Sequence, residues 1–354
     1  MTVDYFFLDR VPWEQSQGLY HAAAYLGREA LFVLRPATPY ICLGFHQDAQ
    51  QEIELDFART QKLPVFRREV GGGAVYLDSG QLFYQLILHK EHPQIPTDKV
   101  EFYRRFLEPV VETYRDFGVN ATFKPVNDIV ANGRKVSGNG AAEINDMVVL
   151  VGNFILDFNY EMMSKSLRVP SEKFRDKVYK TLTENLSTFR RETGDVPDTA
   201  DLAADLTKRF RPLLGPLIPK ELDAELLAKA DEIMAMMHTS EWLLENDRRR
   251  SALEQVKIRE GVYVIQKVVK TPGGLVRVMA LNIENTLHDI HFSGDFFFYP
   301  ANLLPALELA LEGVAMDHRE VTNVIQEFFQ LQHIESPGVR PADFATILVM
   351  DDPV

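Results

Sequence analysis

The chain has 354 residues, 46% of them hydrophobic and 25% charged, with 20 Gly, 19 Pro and a single Cys. Those proportions exclude a disordered or collagen-like chain and a disulfide scaffold, and the length suits about two domains. The formal net charge of −13 repels phosphate backbones, so nucleic-acid binding is not expected. Cys42, without a partner in the sequence, points to a reducing compartment. The acid-bearing start of the chain carries no signal-peptide core, and no run reaches the ~18 apolar residues of a membrane span. A soluble, cytoplasmic protein with no membrane association is the expectation.

Short apolar runs at residues 3–8, 30–34 and 40–45, bounded by Pro, Gly or Arg, read as strands. Residues 82–88 (Leu-Phe-Tyr-Gln-Leu-Ile-Leu) read as a strand buried on both faces. Between 98 and 118 the period changes: Phe102, Phe106, Val110 and Tyr114 recur every four residues, as on an amphipathic helix that Pro109 would kink. Asn132-Gly133 then falls between two strand-like segments, 128–131 and 134–142, and signals a tight hairpin turn. A further strand follows at 147–156. From 161 to 257 Pro170, Pro197 and a charged stretch break the chain into shorter units, with helices at 200–210 and 220–237, the second opened by Pro219. The last hundred residues form an α+β block, with strands at 262–269, 275–283 and 287–292 and helices at 300–311 and 320–331. The fold class is α+β: a large domain over residues 1–250, with mixed or antiparallel sheets flanked by helices, and a small α+β domain over 255–354.

Two segments carry chemistry. In Arg67-Arg68-Glu69-Val70-Gly71-Gly72-Gly73-Ala74-Val75-Tyr76-Leu77-Asp78, three consecutive glycines leave a backbone free to take positive φ and to approach a ligand closely. Its N–H groups can form an anion-binding concavity beside the guanidinium of Arg68; equally, the run is a glycine-rich turn between two strands. It matches neither a dinucleotide fingerprint nor a P-loop. In Asn127-Asp128-Ile129-Val130-Ala131-Asn132-Gly133-Arg134-Lys135-Val136-Ser137-Gly138, strand alternation puts Lys135, Ser137 and Asn139 on one face. A lysine there suits a reaction that develops negative charge on phosphate or carbonyl oxygens, or it is an edge-strand lysine that discourages aggregation.

Together these segments resemble the lipoate–protein ligases, whose superfamily also holds biotin–protein ligases and octanoyltransferases. Thr239-Ser240-Glu241-Trp242 is similar to the segment that closes the family's large domain. Lys270-Thr271-Pro272-Gly273-Gly274 and Phe292-Ser293-Gly294-Asp295-Phe296-Phe297 are similar to its accessory domain. The resemblance implies a two-step reaction: lipoate and ATP give lipoyl-AMP and pyrophosphate, and a carrier-protein lysine then takes the lipoyl group and releases AMP. It implies that Lys135 is the catalytic lysine. Arg68, Gly71, Gly72, Gly73, Ala74, Val75 and Tyr76, with Asn127, Asp128, Ser137 and Gly138, would contact nucleotide and acyl chain, and Asp128 would help hold Mg²⁺. The implied partner is a lipoate-acceptor carrier: a lipoyl domain, a glycine-cleavage H-like protein or a related lipoate-binding protein. Three alternatives stand beside it: a thiol-dependent acyltransferase, an octanoyl or lipoyl transferase that uses no cysteine, and a non-catalytic lipoate- or carrier-binding scaffold.

The sequence departs from the family pattern at Leu77, where histidine is common, at Gln81 in place of asparagine, and at Leu150-Val151-Gly152-Asn153 in place of a His-His-Gly-Thr run. Cys42 lies away from the positions where octanoyltransferases carry their thiol and reads as a buried core residue. The basic run Lys173, Arg175, Lys177 and Lys180 reads either as a loop that orders over the adenylate or as a solvated helix face. The pairs His89/His92 and His288/His291 have ligand-like spacing but no evident third ligand, and read as surface histidines.

Overall fold

The computed structural model describes residues 2–254 and 262–349; the expected start of the second domain, at residue 255, lies outside them. The chain folds as two compact units. The first comprises Met1–Cys42, Ile53–Arg68 and Val75–Thr239, and the second Leu43–Glu52, Glu69–Ala74 and Ser240–Val354.

In the first unit the strands are β1 (Val3–Val11), β2 (Ala30–Pro36), β3 (Tyr40–Leu43), β4 (Val65–Arg67), β5 (Val75–Leu77), β6 (Gln81–His89), β7 (Ala121–Lys124), β8 (Asp128–Ala131), β9 (Arg134–Ser137), β10 (Asn139–Ile144), β11 (Met147–Ile155) and β12 (Leu217–Pro219). Six of them form a mixed sheet in the order β10-β11-β6-β2-β1-β12. β1 runs parallel to β2 and β12, and the remaining pairs are antiparallel. β6 lies inside this sheet with every residue but His89 buried, as expected from apolar residues on both faces of 82–88. Two small sheets, β4-β3-β5 and β7-β8-β9, complete the strands of this unit.

The helix Lys99–Asp116 follows the four-residue period: Phe102, Phe106, Val110 and Tyr114 are all buried. Asp98 caps it by accepting the Glu101 N–H at 2.7 Å, and the helix runs through Pro109 without ending. Where Pro219 was expected to open a helix, the chain instead makes β12, and the helix Ala224–Met237 starts four residues later, capped by the Asp223 side chain. That helix packs on Trp13–Tyr25, close enough that a Cβ on Gly18 would lie 2.9 Å from Met234 Cγ. No helix among the described residues is long and apolar enough to cross a membrane.

The second unit has one antiparallel sheet, β13 (Val262–Thr271), β14 (Gly274–Ile283) and β15 (Thr286–Gly294), in that order. Helices Leu304–Ala310, His318–Leu331 and Pro341–Val349 bury Leu307, Val321, Ile325 and Phe344 in a core with Val276, Phe292, Phe296 and Phe298. His291, expected at the surface, is 2% exposed. Its Nε2 lies 3.8 Å from Asp48 Oδ1, and its Nδ1 lies 3.7 Å from Glu308 Oε1. At those separations the contacts are electrostatic rather than hydrogen bonds. Arg249 pairs with Glu308, and Arg250 stands 4.0 Å from Asp48.

Burial opposes a charge on His291, but the two carboxylates outweigh it and hold the imidazole above its usual value of 6.5. A histidine raised in this way contributes stability that is fully present below the unfolded value and is lost as pH rises through the folded one. The melting temperature is therefore expected to fall as pH rises above 6.5, and His291→Gln is expected to flatten that slope. Melting curves with the same pH slope in both proteins would remove His291 as its source.

Candidate active site

The Asn-Gly signal holds: Asn132 and Gly133 take φ values of 50° and 76°, which the tight turn between β8 and β9 requires. Past the turn the pairing is irregular. Lys135 pairs with Val130 and Ser137 with Ile129, so Val136 is an extra residue in a β-bulge. Val136 and Ser137 are both buried while Lys135 is half-exposed, so the strict alternation expected for Lys135, Ser137 and Asn139 is interrupted. The Lys135 carbonyl accepts the Ser187 N–H at 2.8 Å, which ties the lysine's backbone on its other side.

The Lys135 ammonium points back across the hairpin to Asp128, with Nζ 2.6 Å from Oδ1 and the side chains 36% and 31% exposed. Asn127, next to Asp128, donates from Nδ2 to the Asn139 carbonyl at 2.5 Å. The Ser137 hydroxyl lies 3.1 Å from the Tyr84 hydroxyl and 3.2 Å from Asn139 Oδ1. Gly138 donates its N–H to Asn153 Oδ1 at 2.9 Å. Five of the expected site residues, Asn127, Asp128, Lys135, Ser137 and Gly138, thus form one cluster in the first unit. Tyr84, Asn139 and Asn153 belong to the same cluster and were not singled out as site residues in the sequence.

Arg68, Val75 and Tyr76 lie elsewhere in the first unit. The Arg68 guanidinium stands 3.4 Å from the Cys42 carbonyl and 3.5 Å from Cys42 Sγ. Tyr76 is 4% exposed, and burial, then Asp78, pushes its phenol up to about 12. Gly71, Gly72, Gly73 and Ala74 belong to the second unit. There Gly72 takes φ 91°, and a Cβ on Gly44 would fall 1.7 Å from its carbonyl oxygen. A Cβ on Gly71 would lie 3.0 Å from the Phe296 carbonyl and from a Phe297 ring carbon. At Gly73 the nearest atoms are those of Asp295 at 3.8 Å, so this glycine leaves more room than Gly71 does.

The departures from the family pattern have local roles. Gln81 accepts the Asp78 N–H through Oε1 at 2.8 Å and closes the turn before β6. Leu77 is packed, 8% exposed. The basic run lies in the helix Glu172–Asn185, which buries no residue, with Lys177 lying 5.1 Å from the Phe174 ring centre. Lys173, Lys177 and Lys180 are exposed on it, while Arg175 donates to the Ser164 and Leu167 carbonyls. Among the described residues no group of three or more His, Cys, Asp and Glu is placed to hold a metal by itself.

The family model of the lipoyl protein ligase A/B catalytic domain matches residues 10–211. Lipoate–protein ligase 1 of Staphylococcus aureus is 23% identical over 300 residues, 85% of each chain. An octanoyltransferase LipM of Kyrpidia tusciae is 25% identical over 58% of this chain and 82% of its own. Among solved structures, a bipartite lipoate protein ligase of Thermoplasma acidophilum, studied with its E2 lipoyl domain, aligns with TM-score 0.60 at 23% identity, over 69% of this chain and 97% of its own. A lipoate-protein ligase A bound with ATP aligns with TM-score 0.57 at 21% identity, over 69% of this chain and 99% of its own. These likenesses give the fold: α+β, with several sheets flanked by helices.

The cluster around Lys135 depends on an empty position. A Cβ on Gly152 would fall 2.2 Å from Asn139 Oδ1 and 2.4 Å from the Tyr84 hydroxyl. Gly152→Ala is expected to destabilise the protein by about 2–3 kcal/mol, the cost of overpacking a closed interior. Urea unfolding with an unchanged midpoint would show that the space is not as closely filled as these distances require.

Proposed function

The chain belongs to the lipoyl protein ligase A/B catalytic-domain family, and we propose that it is an ATP-dependent lipoate–protein ligase. The observation that carries this reading is the position of the one cysteine in the sequence. Cys42 is fully buried in β3, and burial pushes its thiol up against the pull of Arg68. Transfer through a thioester needs a thiolate within reach of an incoming acyl carrier. Transfer through an acyl-adenylate needs none; it needs a cation where phosphate and carbonyl oxygens meet.

In the proposed reaction a lipoate carboxylate oxygen attacks the α-phosphorus of ATP. The bond to pyrophosphate breaks, and its electron pair leaves with that group. The amine of a carrier lysine next attacks the carbonyl of lipoyl-AMP; the bond to AMP breaks and an amide forms, with the amine's proton released. The Lys135 ammonium stabilises the negative oxygens in both steps, and Asp128 holds it on the hairpin until a more negative group arrives. Asn127, Ser137 and Gly138 shape the nucleotide side of the site. Arg68, the backbone of Gly71, Gly72, Gly73, Ala74 and Val75, and Tyr76 serve the nucleotide and the acyl chain. Asp128 is the carboxylate that would hold Mg²⁺, an ion that commonly takes one or two carboxylates and completes its shell with phosphate oxygens and water; bound there, it would screen the triphosphate.

We assign activation to residues 1–250 and an accessory role to 255–354, and place the reaction in the cytoplasm. A lipoyl domain is the favoured acceptor, supported by the lipoyl domain described with the Thermoplasma ligase. A glycine-cleavage H-like protein and related lipoate-binding proteins are the others to test. A second reading, octanoyl or lipoyl transfer without ATP, draws support from the similarity to LipM octanoyltransferases.

Lys135→Ala is expected to lower lipoate-dependent pyrophosphate release by at least about a hundredfold while the circular dichroism spectrum stays native. A wild-type rate in that variant would contradict the mechanism. Cys42→Ser is expected to keep full lipoate- and ATP-dependent modification of a lipoyl domain, read as a mass increase. Loss of modification in a folded Cys42→Ser protein, together with ATP-independent transfer in the wild type, would favour the transferase.

A further inference from the structure

β6, β11 and β10 are neighbours in the six-stranded sheet, and their register puts Tyr84 opposite Gly152 and Gly152 opposite Asn139. A side chain at the middle position would separate the outer two. With glycine there, the Tyr84 phenol reaches across and its hydroxyl donates to Asn139 Oδ1. All three polar groups of this hub, Tyr84, Ser137 and Asn139, are buried. Burial also pushes the Tyr84 phenol well above its usual value, so the hydroxyl keeps its proton, and with it its role as a donor.

An amide side chain has an oxygen end and a nitrogen end, and a backbone carbonyl, which can only accept, takes the nitrogen end. Nδ2 of Asn139 donates to the Asn127 carbonyl at 2.9 Å, and its Oδ1 is thereby turned to accept from the Tyr84 hydroxyl, which holds the amide from its other end. Asn127 returns a bond from its own Nδ2 to the Asn139 carbonyl at 2.5 Å. These two reciprocal bonds fix Asn127, and Asp128 follows it directly in the chain.

We propose that Tyr84 is a positioning residue for the reaction: through Asn139 it sets Asn127 and Asp128, and hence the reach of the Lys135 ammonium. The inference rests on the ligase reading above, but it concerns a residue one step removed from the reacting groups. Among the described hydrogen bonds Tyr84 reaches neither Lys135 nor Asp128; the partners of its hydroxyl are Ser137 and Asn139.

The test is steady-state adenylation in the full chain with lipoate and ATP, read as pyrophosphate release. Tyr84→Phe removes only the hydroxyl, and kcat is expected to fall about tenfold with the KM for lipoate unchanged. Asn139→Ala is expected to lower kcat as well, and the double variant should lose no more than the worse single one, because both act along one path. Unchanged kcat in Tyr84→Phe would overturn the proposal, whatever the melting temperature does. A rise in KM alone would also overturn it, by making Tyr84 a lipoate contact, and so would losses in kcat that multiply in the double variant. If Asn139→Ala does not fold, the kcat-against-KM split in Tyr84→Phe decides alone. Absence of lipoate-dependent pyrophosphate release from the wild type would instead sink the ligase reading, so the two failures are told apart.

Discussion

The register of the β8–β9 hairpin is the constraint on which the rest of the candidate site depends. An ion pair as exposed as that of Lys135 and Asp128 contributes at most about 1 kcal/mol, too little to hold its own geometry against solvent and side-chain entropy. Its position must therefore come from the backbone. The turn at Asn132-Gly133, the extra residue at Val136 and the bond from Ser187 to the Lys135 carbonyl supply it together. The weakness of the pair suits a site of this kind. A carboxylate that holds a lysine loosely can yield it to a phosphate oxygen, whereas a deeply buried partner would have to be left uncompensated.

What the sequence made legible is what local conformation decides. Asn-Gly between two strand-like segments announces its turn because few other residues tolerate positive φ at both positions. The helix Lys99–Asp116 announces itself by a four-residue apolar period that matches its buried face. Three features were beyond that reach. Pro219 has the chemistry of a helix start, yet parallel pairing of Leu217–Pro219 with β1 claims it for a strand. The bulge at Val136 depends on its partner strand. The burial of His291 depends on Asp48 and Glu308, far away in the sequence. Each is a tertiary override of a local preference.

The Gly-rich segment illustrates how one motif answers two demands. A side chain at Gly71 would crowd the Phe296 carbonyl and the Phe297 ring, and Gly44 must be glycine because the Gly72 carbonyl oxygen lies where its Cβ would be. Those positions are explained by packing inside the second unit without any ligand. Gly73 is not, since a side chain there would meet only Asp295 at ordinary contact distance. Gly72 takes φ 91°, which favours glycine, so of the three consecutive glycines Gly73 is the one that neither a close neighbour nor a positive φ accounts for among the described contacts. A sequence pattern cannot make this division, because all three residues look alike until their neighbours are placed.

The departures at Leu150 and Asn153, on either side of the glycine that the pattern also has, follow the same logic from the opposite side. Leu150 is fully buried, so an apolar residue there serves the core. Gly152 gives its space to the contact between Tyr84 and Asn139, and the Asn153 amide accepts the N–H of Gly138, just after the bulged strand. A buried or half-buried backbone donor left without an acceptor costs free energy comparable to a lost hydrogen bond, and the chain changes direction between β9 and β10 at this point. An asparagine carbonyl answers that need from the neighbouring strand. Residues that look like losses against a family pattern thus support the strand bearing Lys135.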